Sequence, residues 1–310
     1  MKVSDVLIIG GGPGGMYAFY YTKHKGLKPC LIESNKSLGG QPSGLFSFKT
    51  IKDFPGFSKI KANDLIEMFI KQVKDEKEVY LNQKAVKITK DLKNDYFKVE
   101  TESKKIFYAK YIILATGLGL INFNRIENDQ FVNIHYVVKS LDTYKNKKVF
   151  ILGGGDSAID WANEMLIENI TKKLNIVHHR DQFRASGENA NNVLKSKNVK
   201  VHFNSKVEII DEKNLIIKNN DGKIDKQSYD FVIVQYGQKF DNSILKMCEN
   251  IKVANNNKII VDYVGKTNIK NIFAIGDNAY MEDKPNLISI AITDAIKTIN
   301  YIVKLEKKYE

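Results

Sequence analysis

One local design occurs twice in this chain: an apolar strand, a glycine-rich turn and the start of a helix. The first copy runs from residues 6–9 through Gly10 to Gly15, and the second from residues 149–152 through Gly153 to Ala158. Such a turn brings the amide groups of a helix N-terminus up to the phosphates of a bound dinucleotide. The repeat therefore predicts an α/β protein with two dinucleotide sites.

The first turn has the full set of residue types that a dinucleotide needs. Gly10 is expected to make the tight turn, Gly12 to let a diphosphate approach the backbone, and Gly15 to allow close packing of helix on strand. Pro13 fits the first helical turn, where an N–H group has no acceptor within the helix. Glu33 ends the next apolar strand 18 residues after Gly15 and is the candidate ligand of the ribose hydroxyls.

The second turn repeats the spacing at Gly153, Gly155 and Ala158, but no acid ends the strand that follows. That strand leads instead into His-His-Arg-Asp-Gln-Phe-Arg at residues 178–184. A guanidinium group pairs with phosphate, whereas a carboxylate would repel a 2′-phosphate. Arg180 and Arg184 are therefore the candidate contacts of NADPH, and the alternative is a solvated basic loop.

The remaining pattern predicts that the second fold is inserted in the first. Residues 112–115 form an apolar strand, and the segments 78–81, 85–88, 96–100 and 106–109 before it are interpreted as an antiparallel excursion from a parallel sheet. Residues 272–275, a Gly-Asp turn and a helix over 286–304 are expected to complete the first domain. The predicted fold class is α/β with two Rossmann-like, three-layer domains, and the predicted bounds are 1–117 and 241–310 for the first domain and 118–240 for the second.

Composition narrows the partners and the compartment. The chain has 310 residues, a formal net charge of +12 and a pI near 9.3, with basic residues spread along its length rather than gathered in a nucleic-acid stripe. The charge is either a solvated surface or an attraction for an acidic protein. No apolar run is long enough to span a membrane, and an apolar strand follows the first residues directly, so we expect a cytoplasmic protein. Cys30 and Cys248 are expected to be buried thiols without a redox role.

Five ordered motifs together resemble the low-molecular-weight thioredoxin reductase superfamily over essentially the whole chain. They are GGGPGG at 10–15, GGQ at 39–41, ATG at 115–117, GGGDSA at 153–158 and IGD at 275–277. The resemblance implies that the first and last thirds bind FAD and that the middle third binds NADPH. It adds candidate FAD contacts at Gly40, Gln41 and Gly117. Gly276 and Asp277 are candidates from the pattern itself: they follow the last apolar strand, and such an aspartate can accept a hydrogen bond from a ribityl hydroxyl of FAD. Asp156 and Ser157 join the NADPH contacts.

The chain departs from thioredoxin reductases at residues 134–140, Ile-His-Tyr-Val-Val-Lys-Ser, where those enzymes have a redox dithiol. Dithiol exchange needs a thiolate that attacks a disulfide, so this route is closed. The stretch His135-Tyr136 and the run GGGDSAIDWA at 153–162 resemble the ferredoxin–NADP⁺ reductases of the thioredoxin-reductase-like type. That resemblance implies a homodimer that reduces ferredoxin or flavodoxin, and it implies that Phe46 stacks on the isoalloxazine. His179 replaces the usual arginine of the phosphate site.

Two other functions stay open at this stage. One is an NAD(P)H oxidase or diaphorase, or a thioredoxin-reductase-like protein, with a small-molecule acceptor. This alternative is favoured by the chain's end at Glu310, because the resemblance implies a longer C-terminal segment over one flavin face. The other is a non-catalytic module that senses NADPH. We predict neither a general base nor a metal site, because the five histidines show no ligand spacing beyond the adjacent pair at 178 and 179.

Overall fold

The computed structural model of the protein describes residues 2–44, 49–91, 93–119, 122–127, 129–185, 187–239 and 246–307. The chain divides into two compact units. Unit 1 comprises Met1–Ile121 and Phe240–Glu310, and unit 2 is the intervening segment Asn122–Lys239. The predicted α/β class, with one such unit inserted in the other, is confirmed.

Unit 1 is built on a seven-stranded sheet with the order β5-β2-β1-β8-β7-β6, in which β20 also pairs with β8. Its elements before the insertion are β1 (Val3–Ile9), α1 (Pro13–His24), β2 (Pro29–Ile32), α2 (Gly40–Gly44), β3 (Thr50–Ile51), β4 (Ile60–Lys61), α3 (Ala62–Lys71), β5 (Val79–Tyr80), β6 (Ala85–Asp91), β7 (Tyr96–Thr101) and β8 (Ile106–Leu114). After the insertion come β19 (Ile259–Ile260), β20 (Ile272–Ala274), β21 (Ala279–Tyr280) and α6 (Ile288–Glu306), with a short 3₁₀ turn at Gly276–Asn278.

The prediction of two separate strands at 106–109 and 112–115 is wrong, because β8 is one continuous strand. The assignment of 78–81 to the antiparallel excursion is also wrong, because β5 pairs in parallel with β2 at the other end of the sheet. The first half of β8 pairs antiparallel with β7 and its second half pairs parallel with β20, while β1 runs parallel along the other edge. Lys110 interrupts the apolar pattern in the middle of the strand and is exposed. Alternate side chains of a strand point to opposite faces, so a lysine is accommodated without a break.

The sheet of unit 1 is covered by apolar side chains on both faces. Leu7 and Ile9 of β1 lie in one core cluster, and Val6 and Ile8 lie in the other, on the side of α1, α3 and α6. Parallel strands are usually buried on both faces, which explains why β1 and β2 are apolar runs rather than alternating ones. The carboxyl ends of β1, β2, β8 and β20 consequently meet at one edge of the sheet.

Unit 2 has a five-stranded parallel sheet with the order β10-β17-β11-β12-β13, together with an antiparallel sheet β14-β15-β16. Its elements are β9 (Asn122–Phe123), β10 (Ile134–His135), β11 (Lys148–Leu152), α4 (Asp156–Ile167), β12 (Lys173–Val177), α5 (Glu188–Lys195), β13 (Val199–His202), β14 (Ser205–Ile210), β15 (Asn214–Asn219), β16 (Ile224–Ser228), β17 (Phe231–Val234) and β18 (Gln238–Lys239). The short strands β9 and β18 pair where the chain enters and leaves the unit.

The structure also bears on membranes and metals. Among the described residues, no helix combines the length and the apolar character that crossing a bilayer requires. Over the same residues, no group of three or more histidine, cysteine or acidic side chains is arranged to hold a metal ion.

Candidate nucleotide-binding sites

The glycine turn after β1 is packed too tightly for side chains at two positions. Gly10 has a φ of +112°, and a Cβ atom there would overlap the carbonyl oxygen of Ala115. A Cβ atom on Gly15 would overlap the carbonyl oxygen of Gly10. These two glycines therefore let the start of α1 approach the ends of β1 and β8, as the sequence predicts.

A third glycine of this turn is different, because it faces open space. The nearest atom to a Cβ on Gly12 would be the Cα atom of Gly40, 4.0 Å away. Gly12 is the N-cap residue of α1, Pro13 follows it, and no side chain caps this helix. The uncapped amide groups and the positive end of the helix dipole face that space. The open space between Gly12 and Gly40, here called the cradle, fits the diphosphate of a dinucleotide. A side chain on Gly12 or on Gly40 would fill it.

Glu33 is fixed beside the same turn. Its Oε2 atom accepts a hydrogen bond of 2.6 Å from the Gly11 amide, and its Oε1 atom accepts one of 2.7 Å from the Asn35 amide. The residue is only 5% exposed. The carboxylate therefore stands at the end of β2 in a fixed orientation, which is where a ribose-binding acid is needed.

The turn at Gly276–Asn278 brings a distant part of the chain to the same edge of the sheet. Asn278 donates hydrogen bonds of 3.1 Å to the carbonyl oxygen of Leu114 and 3.0 Å to the Thr116 hydroxyl. Burial raises the pKa of the Asp277 carboxyl above its ordinary value, and the charges of Lys258 and Lys284 oppose this effect. Asp277 is thus a partly buried acid next to the ATG and glycine-turn motifs.

The glycine turn of unit 2 repeats this construction. Gly153 has a φ of +133°, and a Cβ atom there would overlap the carbonyl oxygen of Gln235, as one on Gly10 would overlap that of Ala115. Gly155 is the N-cap residue of α4, and no side chain caps this helix either. The turn therefore fits a second diphosphate.

His178 occupies in unit 2 the place that Glu33 occupies in unit 1. Each is the first residue after the second strand of its fold, and each packs against the middle glycine of its turn: Glu33 on Gly11 and His178 on Gly154. A Cβ atom on Gly154 would lie 2.6 Å from two ring carbons of His178. Burial, reinforced by the neighbouring His179, lowers the pKa of His178 below its ordinary value. A ring whose burial disfavours its charged form thus stands where unit 1 has a carboxylate.

The segment after His178 brings one of the two predicted arginines directly to the turn. The amide of Arg184 donates a hydrogen bond of 2.8 Å to the carbonyl oxygen of Gly154, and its guanidinium lies over Gly155. Arg180 lies further along the same segment, where its Nε donates a 3.3 Å hydrogen bond to Nε2 of His179. Both arginines and His179 are exposed.

The structure gathers the described candidate residues into two groups, one in each unit. Around the carboxyl edge of the unit 1 sheet lie Gly10, Gly12, Pro13, Gly15, Glu33, Gly40, Gln41, Gly117, Gly276 and Asp277. Around the carboxyl ends of β11 and β12 lie Gly153, Gly155, Asp156, Ser157, Ala158, His179, Arg180 and Arg184. Phe46 lies outside the described residues.

Sequence reasoning missed His178 as a site residue, because it reads as the last residue of an apolar strand. Aligning the two copies of the repeat would have found it, since Glu33 stands at the matching position. It also missed Lys284 and Asp294, whose Nζ and Oδ2 atoms are 2.7 Å apart beside Gly276. No sequence spacing marks this pair.

Two glycine turns without side-chain caps, each at the carboxyl end of a parallel strand in its own sheet, define the class of oxidoreductases with paired dinucleotide folds. The chain belongs to the pyridine nucleotide-disulphide oxidoreductase family, whose model matches residues 4–295. Enzymes of this family that resemble the chain use FAD and NADPH.

Individual relatives are similar over almost the full length. The chain is 37% identical to a ferredoxin–NADP reductase of Malacoplasma penetrans over 100% of this chain and 99% of that protein. It is 36% identical to a ferredoxin–NADP reductase of Ligilactobacillus salivarius, over 96% of this chain and 89% of that protein. Among solved structures, thioredoxin reductase of Lactococcus lactis in its FR conformation matches with a TM-score of 0.81 and 25% identity. The match covers 97% of this chain and 98% of that one.

The sulfur chemistry of the disulphide-reducing relatives has no counterpart in this chain. Its two cysteines are both free and buried in the core of unit 1. Burial raises the pKa of Cys30 to about 12 and that of Cys248 to about 11. The prediction that both are buried thiols is confirmed, and neither supplies the thiolate that disulfide exchange requires.

Proposed function

We propose that this protein is an NADPH-dependent flavoprotein reductase that passes electrons to ferredoxin or flavodoxin without a cysteine pair. One observation carries the proposal: two glycine turns fit for dinucleotides occur in a chain whose only thiols are buried in an apolar core. When bound, the flavin converts the two-electron chemistry of the nicotinamide into transfer to an acceptor. We predict no general base or metal in the reaction.

In unit 1 the proposed task of the protein is to hold FAD. The amide groups at the start of α1 take the diphosphate, and Glu33 takes the adenosine ribose. Asp277, brought in by the turn after β20, faces the ribityl chain from the opposite end of the sequence. Gly40, Gln41 and Gly117 complete the assignment.

In unit 2 the proposed task is to select and orient NADPH. The start of α4 takes the diphosphate, and the segment 179–184 takes the 2′-phosphate. Arg184, at the turn itself, is proposed as the main cation, with Arg180 and His179 beside it. The neutral ring of His178 leaves the 2′-phosphate unopposed by a carboxylate.

Charge supports an acidic protein as the electron acceptor. Unit 1, the proposed FAD unit, contains 30 basic and 21 acidic residues, while unit 2 contains 18 and 15. An excess of positive charge speeds the encounter with an acidic partner and makes it dependent on salt. The ferredoxin–NADP reductase names of the similar proteins support the same choice. We further propose a cytoplasmic homodimer; the two free thiols suit a reducing compartment.

The test begins with anaerobic mixing of the purified protein with NADPH, and with NADH in parallel. We expect the yellow flavin band to bleach faster with NADPH. The reduced protein is then offered ferredoxin, flavodoxin, oxygen and a quinone. We expect ferredoxin or flavodoxin to be reduced fastest, at a rate that falls as salt is added.

Two results would overturn the proposal. Rapid oxygen or quinone consumption without turnover of either protein would make the enzyme an oxidase or diaphorase. A flavin that is absent, or present and never reduced, would leave a nucleotide-sensing module. Sedimentation of the purified protein tests the homodimer separately.

A further inference from the structure

A buried ion pair holds both backbone polar groups of Gly276, the residue before Asp277. The Lys284 ammonium donates 2.7 Å hydrogen bonds to the Gly276 carbonyl oxygen and to Oδ2 of Asp294. The same Oδ2 atom accepts a hydrogen bond of 3.1 Å from the Gly276 amide. The three residues form a closed ring of hydrogen bonds. The side chains of Lys284 and Asp294 are only 5% and 10% exposed.

The other side of Asp277 is held as well. Asn278 ties the turn to the end of β8 through Leu114 and Thr116. Gly276 has a φ of +72°, a conformation that few other residues adopt without strain. The backbone of Asp277 is therefore clamped on both sides. Among the described residues, by contrast, no group donates a hydrogen bond to its carboxylate.

Stability alone does not explain this pair. Removing two charges from water costs free energy that their attraction often fails to recover, so well-packed apolar residues commonly replace such pairs without loss. The pair lies where the backbone of a candidate ligand residue must be held still, and both of its members bind that backbone. Its location therefore matches a positioning role.

We propose that Lys284 and Asp294 are positioning residues for FAD, acting through the Gly276–Asp277 backbone to aim the Asp277 carboxylate at the ribityl chain. This inference rests on the proposed FAD site of unit 1. Neither residue touches the flavin in this scheme. Lys284 and Asp294 instead fix the backbone that carries the Asp277 carboxylate.

The test is a double-mutant cycle on FAD affinity. The dissociation constant is measured by flavin fluorescence as the purified holoprotein releases FAD on dilution, for wild type, Lys284→Met, Asp277→Ala and the double variant. We expect Lys284→Met to weaken binding about tenfold, the value of one hydrogen bond to a charged group. In the Asp277→Ala background the same change should have almost no effect, because its target is gone.

Two controls separate positioning from general support of the fold. Lys266→Met removes an exposed ion pair, in which Nζ of Lys266 lies 3.0 Å from Oδ2 of Asp262. This variant should leave FAD affinity unchanged. The variant Lys284→Met/Asp294→Leu replaces the buried pair by apolar side chains. It should be more stable to heat than Lys284→Met, because no unpaired carboxylate remains buried, whereas its FAD affinity should stay reduced. The visible circular dichroism of its bound flavin should differ from that of the wild type.

The outcomes are distinct. Equal effects of Lys284→Met with and without Asp277, or full recovery of FAD affinity in the apolar double variant, would overturn the positioning role. Failure of the wild-type protein to hold FAD would instead overturn the proposed function.

Discussion

Replacing His178 by glutamate tests the equivalence of the two glycine turns. In unit 1 the Glu33 carboxylate accepts a 2.6 Å hydrogen bond from the Gly11 amide, and in unit 2 the His178 ring packs against the matching Gly154. His178→Glu therefore rebuilds in unit 2 the arrangement that unit 1 already has. A carboxylate at this place binds the ribose hydroxyls of NADH and repels the 2′-phosphate of NADPH.

The magnitude follows from Coulomb's law and from the value of one hydrogen bond. Two unit charges about 5 Å apart repel each other by about 3 kcal/mol at an effective dielectric constant of about 20. Because Arg180 and Arg184 are exposed to solvent, screening reduces the repulsion to about 2 kcal/mol, which corresponds to about 30-fold weaker NADPH binding. A charge-assisted hydrogen bond to the ribose adds about 1.5 kcal/mol for NADH, or about tenfold. The ratio of the two affinities should change by about 300-fold.

The assay is isothermal titration of the oxidised holoprotein with NADP⁺ and with NAD⁺. His178→Gln is the matched control, because it removes the ring without adding a charge. We expect the glutamine variant to change both affinities by similar factors and only the glutamate variant to reverse the preference. If His178→Glu folds, holds FAD and still prefers NADP⁺ as the wild type does, then His178 is not the counterpart of Glu33.

Three further predictions concern the turns and the thiols. Gly12→Ala should leave the unfolding temperature within about 2 °C of wild type, because the nearest atom to the new methyl group beyond its two chain neighbours is 4.0 Å away. The same variant should have a reduced flavin content. Gly15→Ala places a methyl group on the Gly10 carbonyl oxygen and should lower both the unfolding temperature and the flavin content. Equal unfolding temperatures of the two variants would contradict the proposal that the space at Gly12 is reserved for a diphosphate. Arg184→Ala should weaken NADP⁺ binding by about tenfold or more and Arg180→Ala by less, measured by the same titration. Cys30→Ala/Cys248→Ala should retain turnover. Both native thiols should resist iodoacetamide at about pH 8, because folded pKa values of about 12 and 11 leave almost no thiolate; rapid labelling of the native protein would refute this.

The sequence predicts the scaffold well wherever local physics decides the structure. Gly10 and Gly153 have positive φ angles and leave no room for a side chain, so the sequence must carry glycine there. The apolar runs before them become buried parallel strands. Lys110 marks the limit of this reasoning: an exposed charge reads as a break, although β8 continues through it because only one of its faces at that point must be apolar.

The parts of the candidate sites that were missed depend on contacts between distant or differently folded segments. His178 is significant only once it is seen against Gly154, which its apolar strand context hides. Lys284 and Asp294 meet because the chain turns back from β21 into α6, and no periodicity connects a lysine in a loop with an aspartate in a helix. Short sequence motifs show where the backbone requires glycine. Contacts between side chains that are distant in sequence can be identified only from the three-dimensional structure.

The segment that distinguishes this chain from the thioredoxin reductases it resembles has acquired a structural role. In residues 134–140, Nδ1 of His135 is hydrogen-bonded to the buried Tyr144 hydroxyl at 2.7 Å, its ring packs against Phe231, and Val138 is 2% exposed. Burial lowers the pKa of His135, so the ring is held neutral in this cluster. Ile134 and Val138 are thus core residues, and His135 is fixed by its contacts with Tyr144 and Phe231. The two cysteines lie elsewhere, in the apolar core of unit 1. Under the proposed function, the electrons therefore leave from the flavin itself, and the choice of acceptor depends on the surface around the flavin.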